Sequence, residues 1–496
     1  MSIAEAERDV KSAVEAVLVC AQISQKCLPL LGDVEARLWT ALLALGRAVL
    51  ALFLARCAAH PRPESYVHNG QRYALDCSNR RSIEVGTRFG KLKFSRPVGL
   101  ALGAISRAAD LPIDRDLGLC SGFSMGTVMA ITRLCAMMAF ATARNVFEQF
   151  HEWMPSPRAT LRMVDTLGAQ ARPFLEQAPA PTEDGEILVI EVDGGGAPMI
   201  SEAEYQRRCL PKRKRATTGR HHRRQRSRER PKPRRTKGQK SKNSKLAVVA
   251  AVYTLKRTAD GLEGPINKRL IATFASHAEL FAWLNNEAVK RGYGKKRTVF
   301  LADGSEHIWH LQQKYFPDAE VGLDWIHVIE KLWIAGQCVF TEGSAELAAW
   351  VKEHKALLRR GHVDAMLQNL IRAFMEIPKT GPGNKGRRER LGAVIEYLTG
   401  HRERLRYHEL RRDDLPIATG VIEGAIRNLV RVRLDGPGMR WSRDRAESIL
   451  HLRCVLLNNQ WDDFSRFIAT CPPRLFAKPV PTRTHDAKPQ LLPIAA

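Results

Sequence analysis

The spacing of apolar residues divides the chain into a helical N-terminal part and a later part that alternates strands and helices. Residues 1–60 carry Leu, Val and Ala at three- and four-residue intervals, and the same helical spacing returns over 121–170. Between them, residues 81–97 alternate polar and apolar side chains, which predicts a β-hairpin. The segment 177–184 has the composition of a linker. We therefore expect a mainly helical N-terminal region that ends just before this linker.

The most apolar stretch of the chain lies at 48–55, between Arg47 and Arg56. It is far shorter than the roughly 20 residues that cross a bilayer, so it predicts a buried helix and no membrane span. The ten cysteines form no C-x-x-C pair, which argues against a disulfide-dense secreted scaffold. A cytoplasmic location is therefore expected.

Beyond residue 185, short apolar runs indicate strands that are buried on both faces. Three strands come first, and then helices and strands alternate, which predicts a mixed five-stranded sheet with helices on its faces. This α/β order matches the ribonuclease H-like fold. Residues 330–412 then read as helices throughout. The expected strands are 187–192, 246–255, 269–274, 297–302 and 320–323, and the expected helices are 277–291, 306–315 and one from 326.

The net charge of +26 is concentrated in one segment. Residues 207–245 contain 19 Lys and Arg and one acid, Glu229, and therefore carry +18 of that charge. Such dense positive charge without apolar periodicity predicts a disordered loop that binds a polyanion, of which nucleic acid is the commonest. A solvated loop that merely raises the isoelectric point is the alternative. Phosphate contacts would make the affinity steeply salt-dependent, but they would not read sequence.

Three acidic residues occupy positions where strands end or a late helix begins. Asp193 follows the first strand of the sheet, Asp303 follows the fourth, and Glu423 lies in the first turns of a helix. Strand ends at one edge of such a sheet form a crevice, and clustered carboxylates there could hold Mg²⁺. The pattern also has ordinary interpretations. Asp-Gly is a common turn, and Glu423 with Arg427 makes a surface pair at helical spacing.

Residues 420–453 (GVIEGAIRNLVRVRLDGPGMRWSRDRAESILHLR) resemble the C-terminal block of bacterial insertion-sequence transposases of the ISKra type, relatives of the Mutator-like transposases. In that family a helix with the last catalytic Glu leads into an Arg-rich stretch and a Gly-Met-Arg-Trp turn. LADGSEHIWHLQQKYFPDAEVGLDWIHVIEKL resembles the block with the second catalytic Asp, and EVDGGG resembles the block with the first. The matching residues are Asp193, Asp303, Asp324, His327, Glu423, Arg427, Arg431, Arg433, Gly438, Met439, Arg440 and Trp441.

The resemblance implies a DDE transposase, a mobile-element enzyme of DNA transposition and recombination. Asp193, Asp303 and Glu423 would be the catalytic residues and would hold two Mg²⁺ (or Mn²⁺) ions. Water would attack the strand phosphate at the transposon end, and the freed 3′-OH would then attack target DNA. The partners implied are transposon ends, target DNA and further copies of the chain, in a homodimer or higher multimer. The location implied is the bacterial cytoplasm, in association with the nucleoid.

The expected organisation combines these patterns with the resemblance. The domains are a mainly helical N-terminal DNA-binding region (1–176) with its hairpin near 81–97, the first part of the ribonuclease H-like core (185–328) interrupted by the disordered basic loop (207–245), a helical insertion (329–415), C-terminal core helices (416–468) and a disordered tail (469–496). DNA contacts are expected at Lys212, Arg213, Lys214, Arg215, Arg223, Arg224, Arg226, Arg234, Arg235, Arg427, Arg431, Arg433, Arg440 and Trp441.

Some interpretations stay open at the level of sequence. Two helices around the turn 154–157 could be a helix-turn-helix that reads DNA or an ordinary helix pair. Asp324 and His327 could lie near the site and orient a flanking nucleotide, or they could be a helix N-cap and a core histidine. The alternatives for function are a non-catalytic, decayed or domesticated DNA-binding protein and another ribonuclease H-like nuclease, such as a junction resolvase.

Overall fold

The computed structural model describes residues 2–22, 28–103, 109–209 and 243–471. The basic residues expected to bind DNA between 212 and 235 lie outside the described residues, as does most of the predicted tail. The two ends of the predicted basic loop are described, and they are not loop. Residues up to Cys209 belong to a helix, and a strand begins at Ser244, which corrects the predicted bounds of that loop.

The first of two compact units consists of Met1–Leu167 with Ser465–Ala496 and combines helices with a four-stranded antiparallel sheet. This confirms the predicted helical N-terminal region, and the hairpin predicted near 81–97 is present with longer strands. The elements are α1 (Ile3–Val19), α2 (Leu31–Ala59), β1 (Ser65–His68), β2 (Gln71–Thr87), β3 (Gly90–Ala101), β4 (Ala109–Asp110), α3 (Pro112–Asp116), α4 (Met125–Met137), α5 (Phe140–His151) and α6 (Pro157–Gln177), which continues beyond the unit.

Helix α2 is longer and more exposed than the apolar stretch 48–55 predicts. It packs on the sheet through Ala51 and Leu54, but only 11% of its most apolar window is buried. The prediction of a buried helix is therefore wrong for α2 as a whole, because an apolar pattern does not tell which faces a neighbour covers. By length and composition α2 could cross a membrane, which is weak evidence since a core helix passes the same test. Its exposed apolar residues include Trp39, Leu42, Val49 and Phe53.

The second unit, Gly168–Phe464, contains the predicted core and the helices that follow it. Its strands are β5 (Ile187–Pro198), β6 (Ser244–Thr258), β7 (Gly261–Thr273), β8 (Arg297–Ala302) and β9 (Glu320–Leu323). Its helices are α7 (Glu202–Cys209), α8 (His277–Lys290), α9 (Glu306–Tyr315), α10 (Trp325–Gly336), α11 (Ala345–Arg359), α12 (Val363–Glu376), α13 (Asn384–Gly400), α14 (Tyr407–Arg412), α15 (Gly420–Ile426), α16 (Val432–Leu434) and α17 (Arg443–Leu457). Helix α18 (Trp461–Thr470) begins in this unit, and its residues from Ser465 onwards belong to the first unit. A 3₁₀ turn lies at Arg402–Arg404 and a π-helical turn at Arg427–Arg431.

The five strands of this unit form one mixed sheet in the order β7-β6-β5-β8-β9, as the alternation of apolar runs predicts. Strands β7, β6 and β5 pair antiparallel, whereas β8 and β9 run parallel to β5. One face of the sheet packs Val189, Tyr253 and Leu301 against Leu410 and Leu415, which lie in and just after α14. Because both faces of the central strands are covered, those strands read as continuous apolar runs.

The register of the parallel strands places three aspartates in a row. Val192 pairs with Ala302, and Ala302 pairs with Leu323. The next residue in each strand direction is Asp193, Asp303 and Asp324, respectively. Where the parallel pairing ends, β5, β8 and β9 therefore each present an aspartate, in the region where α/β sheets usually place their sites. The expected end of the first strand at residue 192 is corrected, because β5 continues to Pro198 in its pairing with β6.

Candidate active site

Asp193 and Asp303 lie on the neighbouring strands β5 and β8, each directly after the last residue of their parallel pairing. Burial raises the pKa of Asp193 to about 6, and the negative charge of Asp303 adds to this increase. A buried carboxyl whose pKa is raised beside a second acid is a feature of sites that bind cations or transfer protons. The strand register places two of the three side chains that are predicted to converge, Asp193 and Asp303, on adjacent strands.

Each of the two carboxylates is held by a local turn through one oxygen. The Gly194 amide donates to Oδ1 of Asp193 at 2.6 Å, and the Ser305 amide donates to Oδ1 of Asp303 at 3.0 Å. The indole Nε1 of Trp309 donates to the Asp303 carbonyl at 2.8 Å and fixes the backbone there. Among the described residues, no side chain or amide hydrogen-bonds to the second oxygen of either carboxylate. Those oxygens can accept a ligand without breaking a protein contact.

Asp324, the third aspartate of the row, is fully buried and has its hydrogen-bonding capacity used within the protein. It caps α10, because its Oδ2 accepts from the amide of His327 at 3.0 Å, and its Oδ1 accepts from the amide of Thr419 at 2.9 Å. Burial alone would raise the pKa of Asp324, but the bonds from His327 and Thr419 lower it. Asp324 is thus the N-cap of α10, as one of the two interpretations of its sequence position expects.

His327 is not a core histidine, because 35% of its side chain is exposed. Its Nδ1 lies 2.6 Å from Oδ2 of Asp324, and this bond raises the pKa of His327 to about 9. Burial opposes that increase, whereas the negative charges of Asp324 and Asp193 favour it. At neutral pH His327 is therefore an imidazolium close enough to Asp193 to influence its charge.

Glu191 is a buried carboxyl that the sequence reading did not weigh. It lies two residues before Asp193 on β5 and is 0% exposed. Its Oε1 accepts from the Tyr253 hydroxyl at 2.7 Å, and its Oε2 accepts from the amide of Ile422 at 2.8 Å. Burial raises the pKa of Glu191 to about 7 in spite of these two bonds. In the sequence, Glu191 is an acid within an otherwise apolar run. Because it is two residues from Asp193 on one strand, both side chains lie on the same face.

Glu423, the third predicted catalytic residue, is on α15, which lies across β5. A Cβ at Gly195 would come within 3.0 to 3.2 Å of Ile426 and Val430, so the helix approaches this strand closely. The side chain of Glu423 is exposed, yet its charge contributes to the raised pKa of Glu191. The hydrogen bond from the Ile422 amide to Glu191 therefore holds α15, the helix that carries Glu423, next to β5.

The donor set fits a divalent cation at the Asp193–Asp303 pair. Carboxylate oxygens are the ligands that Mg²⁺ prefers, and it commonly takes one or two of them together with water and substrate oxygens. Within the described part of the chain, no group of three His, Cys, Asp or Glu side chains is placed closely enough to hold a metal ion. Glu423 thus stands outside the pair in this structure, and its role as a metal ligand stays a prediction.

Neither a protein-family model nor a curated protein matches this chain. The sheet order and the carboxylates at its edge are therefore the features from which a function can be proposed.

The predicted DNA contacts of the C-terminal block separate into exposed and buried residues. Arg427, Arg431 and Arg440 are exposed. Arg433 and Trp441 are only 1% and 5% exposed, and the Arg433 guanidinium lies 4.8 Å from the Trp441 ring centre. The expectation that these two side chains contact DNA is corrected by their burial.

The Gly-Met-Arg-Trp turn instead attaches the C-terminal segment to the end of β5. The Trp441 amide donates to the Pro198 carbonyl at 3.1 Å, and the Ile200 amide donates to the Trp441 carbonyl at 2.9 Å. The indole Nε1 of Trp441 donates to the Leu434 carbonyl at 2.8 Å. These bonds explain why an aromatic residue stands beside the arginines of this block.

Proposed function

We propose that this chain is a DNA transposase with a ribonuclease H-like core, which cleaves transposon ends and transfers strands into target DNA in a metal-dependent reaction. The observation that carries the proposal is that Asp193 and Asp303 directly follow Val192 of β5 and Ala302 of β8, the last paired residues of two neighbouring parallel strands. The strand order, with three antiparallel strands followed by two parallel ones, supports a ribonuclease H-like core. The chemistry is phosphodiester hydrolysis followed by transesterification.

The residues at the sheet edge have distinct tasks in this reaction. Asp193 and Asp303 offer oxygens without a protein partner, where Mg²⁺ or Mn²⁺ would be held. Activation of the attacking oxygen and stabilisation of the leaving oxygen are the chemistry that two such ions supply when bound. His327, charged at neutral pH, limits the negative charge beside Asp193. Glu191 holds α15, and with it Glu423, against β5.

DNA binding is proposed for the exposed cations and for the basic segment 207–245. Arg427 and Arg431 lie on the turn that follows Glu423, and Arg440 is exposed further along the block. Contacts of these side chains with phosphates would fix the position of a strand relative to the carboxylates without reading its sequence. The affinity should fall steeply as the salt concentration rises.

A specific observation favours a second candidate function, a non-catalytic DNA-binding protein. Glu423 is exposed and does not join Asp193 and Asp303 in a three-ligand group. A decayed copy could keep the sheet and the basic segment while losing the geometry for catalysis. Both candidates predict salt-sensitive DNA binding, so binding does not distinguish between them.

The deciding experiment is a metal-dependent cleavage and strand-transfer assay on DNA that carries the sequences flanking the gene. We expect activity with Mg²⁺ or Mn²⁺ and none with a chelator. Asp193→Ala, Asp303→Ala and Glu423→Ala should each lower cleavage by roughly a thousand-fold or more, since a metal ion supplies several kcal/mol of transition-state stabilisation. Asp435→Ala, which removes an exposed acid from the same block, is the matched control.

Two results would change the assignment. If all three variants cleave as well as the wild type, the site is wrong. If wild-type protein binds the DNA but never cleaves it with either metal, the non-catalytic function is the correct one.

A further inference from the structure

A cavity of about 460 Å³ opens beside the candidate active site. It lies between α9 and the end of α13, and its lining begins at Gly304, the residue that follows Asp303. Trp309, Tyr397, His401 and Arg404 form much of its wall. A ligand in this cavity would therefore sit next to whatever binds at the Asp193–Asp303 pair.

Arg404 is a cation in this cavity and, among the described residues, forms no ion pair with either of the two acids that also line it. Its guanidinium carbon lies 4.5 Å from the ring centre of Trp309, and its NH1 lies 3.1 Å from Nδ1 of His401. In the part of the chain that the structure describes, no carboxylate lies within ion-pair distance of Arg404. Burial lowers the pKa of Arg404, because the charged form has lost solvent without gaining a counter-charge. An anion from outside the chain would supply that counter-charge.

His401 holds Arg404 in position and is itself neutral. Its Nε2 lies 3.1 Å from the Gly304 carbonyl, which can only accept, so Nε2 carries the proton and Nδ1 accepts from Arg404. Burial lowers the pKa of His401, and the adjacent guanidinium lowers it further. A continuous chain of hydrogen bonds thus runs from Arg404 through His401 to the backbone next to Asp303.

Tyr397 closes the side of the cavity nearest the carboxylates. A Cβ at position 304 would overlap its ring, so glycine is required there for this packing. Burial, together with the charges of Asp303 and Asp324, raises the pKa of Tyr397 to about 12, which leaves its hydroxyl neutral at physiological pH. The two acids that line the cavity, Glu306 and Glu396, are exposed to solvent.

We propose that this cavity is a phosphate subsite, in which Arg404 binds the DNA backbone phosphate adjacent to the one that is processed at Asp193 and Asp303. The planar guanidinium can offer two parallel N–H donors to phosphate oxygens, and stacking on Trp309 already fixes its orientation. Because arginine is pre-organised in this way, little side-chain entropy is lost when the phosphate binds. The proposal rests on the proposed function, since it takes the anion to be part of a DNA strand.

The test measures binding of thymidine 3′,5′-bisphosphate by calorimetry, in physiological salt and with a chelator present. The full chain is compared with Arg404→Ala and with Arg402→Ala, a matched control on the same 3₁₀ turn whose side chain pairs with exposed Asp364. We expect Arg404→Ala to weaken binding roughly 10- to 100-fold, as expected for a lost charge-assisted bond. Arg402→Ala should bind like the wild type.

The proposal is overturned if Arg404→Ala binds as tightly as the wild type, or if Arg402→Ala loses as much affinity. ATP is the second probe, because a free nucleotide offers the same phosphate chemistry as a strand. Tighter binding of ATP than of the bisphosphate would identify a nucleotide site and would also overturn it. If Arg404→Ala fails to fold, Arg404→Lys replaces it, and we expect a loss of at least several-fold since lysine has no planar fork.

Failure of the subsite and failure of the proposed function give different results. Bisphosphate binding requires neither metal nor cleavage, so Asp303→Ala should bind the probe while it loses cleavage. If the aspartate variants lose cleavage while Arg404→Ala binds the bisphosphate as the wild type does, the subsite is refuted and the proposed function stands. If binding of the bisphosphate depends on Arg404 but the chain never cleaves DNA, the transposase function is refuted and the anion-binding site stands.

Discussion

Carboxylates near the two ends of the parallel strands differ in whether a cation of the protein neutralises them. At the end where β5 and β8 begin, Asp184 accepts from Nε and NH2 of Arg291 at 3.0 and 2.7 Å, and Thr254 also donates to it. The Arg291 side chain is 0% exposed and donates further to three backbone carbonyls. Further along the same strands, neither Asp193 nor Asp303 forms an ion pair with a lysine or arginine of the described residues.

This difference separates a structural carboxylate from one that is available for chemistry. Burial would raise the pKa of Asp184, but its bonds to Arg291 and Thr254 lower it, so ionised Asp184 stabilises the fold. The pKa of Asp193 is raised, so ionised Asp193 destabilises the fold. A buried carboxylate that costs stability is typical of a functional site, and the contrast between Asp184 and Asp193 can be tested at both residues.

The largest effect is expected from Arg291→Ala. This variant removes two hydrogen bonds from Asp184, which keeps the Thr254 hydroxyl and Lys296 at 3.6 Å, and it takes a donor from three carbonyls. We expect it to lower the free energy of unfolding by about 2–4 kcal/mol. Arg257→Ala, which removes an exposed cation 3.9 Å from Glu186, should cost less than about 1 kcal/mol. Urea unfolding of both variants measures the difference. Equal losses would mean that the burial of the pair contributes nothing.

The second effect has the opposite sign and concerns Asp193→Asn. The pKa of Asp193 rises from 3.8 to about 6 on folding, so wild-type stability should fall as the pH rises from about 4 to 6 and stay low above that range. At pH 8 without metal, Asp193→Asn should therefore be more stable than the wild type by about 1–3 kcal/mol. Asp184→Asn should be less stable than the wild type. A loss of stability in Asp193→Asn would contradict the claim that ionised Asp193 destabilises the fold.

The smallest effect is expected at His327. Its pKa is raised from 6.5 to about 9, so its contribution to stability is complete below pH 6.5 and is lost as the pH rises through 9. We expect about 1 kcal/mol, because solvent screens a side chain that is one-third exposed. His327→Gln should remove this decline in thermal unfolding measured across that range, and His310→Gln, at an exposed position, should retain it.

The strands of the sheet could be located from sequence because each contains a buried apolar run, but β5 and β7 extend well beyond the runs 187–192 and 269–274. The aspartates at positions 193, 303 and 324 could be located for the same reason, since each directly follows such a run. Parallel strands that end together bring their next residues together. These features depend on local pattern and on a simple rule of topology.

The features that could not be predicted depend on contacts between distant parts of the chain. Glu191 is held by the amide of Ile422, 231 residues later, and no local pattern shows that an acid within a strand has such a partner. The burial of Arg433 and Trp441 depends on their docking beside Pro198, whereas an arginine-rich stretch normally indicates an exposed surface. The exposed side of α2 is a similar case, because which faces of a helix are buried depends on the tertiary packing around it.

Strand pairing also has a consequence for how this protein can be altered. Pro198 and Ser244 are partners in the β5–β6 register, so the chain leaves the sheet and returns to it at the same rung of the ladder. The closure cost of a connection grows only with the logarithm of its length, by about 0.6 kcal/mol per doubling. The connection beyond Ile200, whose amide bonds to Trp441, can thus be lengthened, shortened or exchanged at little cost while β5 and β6 keep their register.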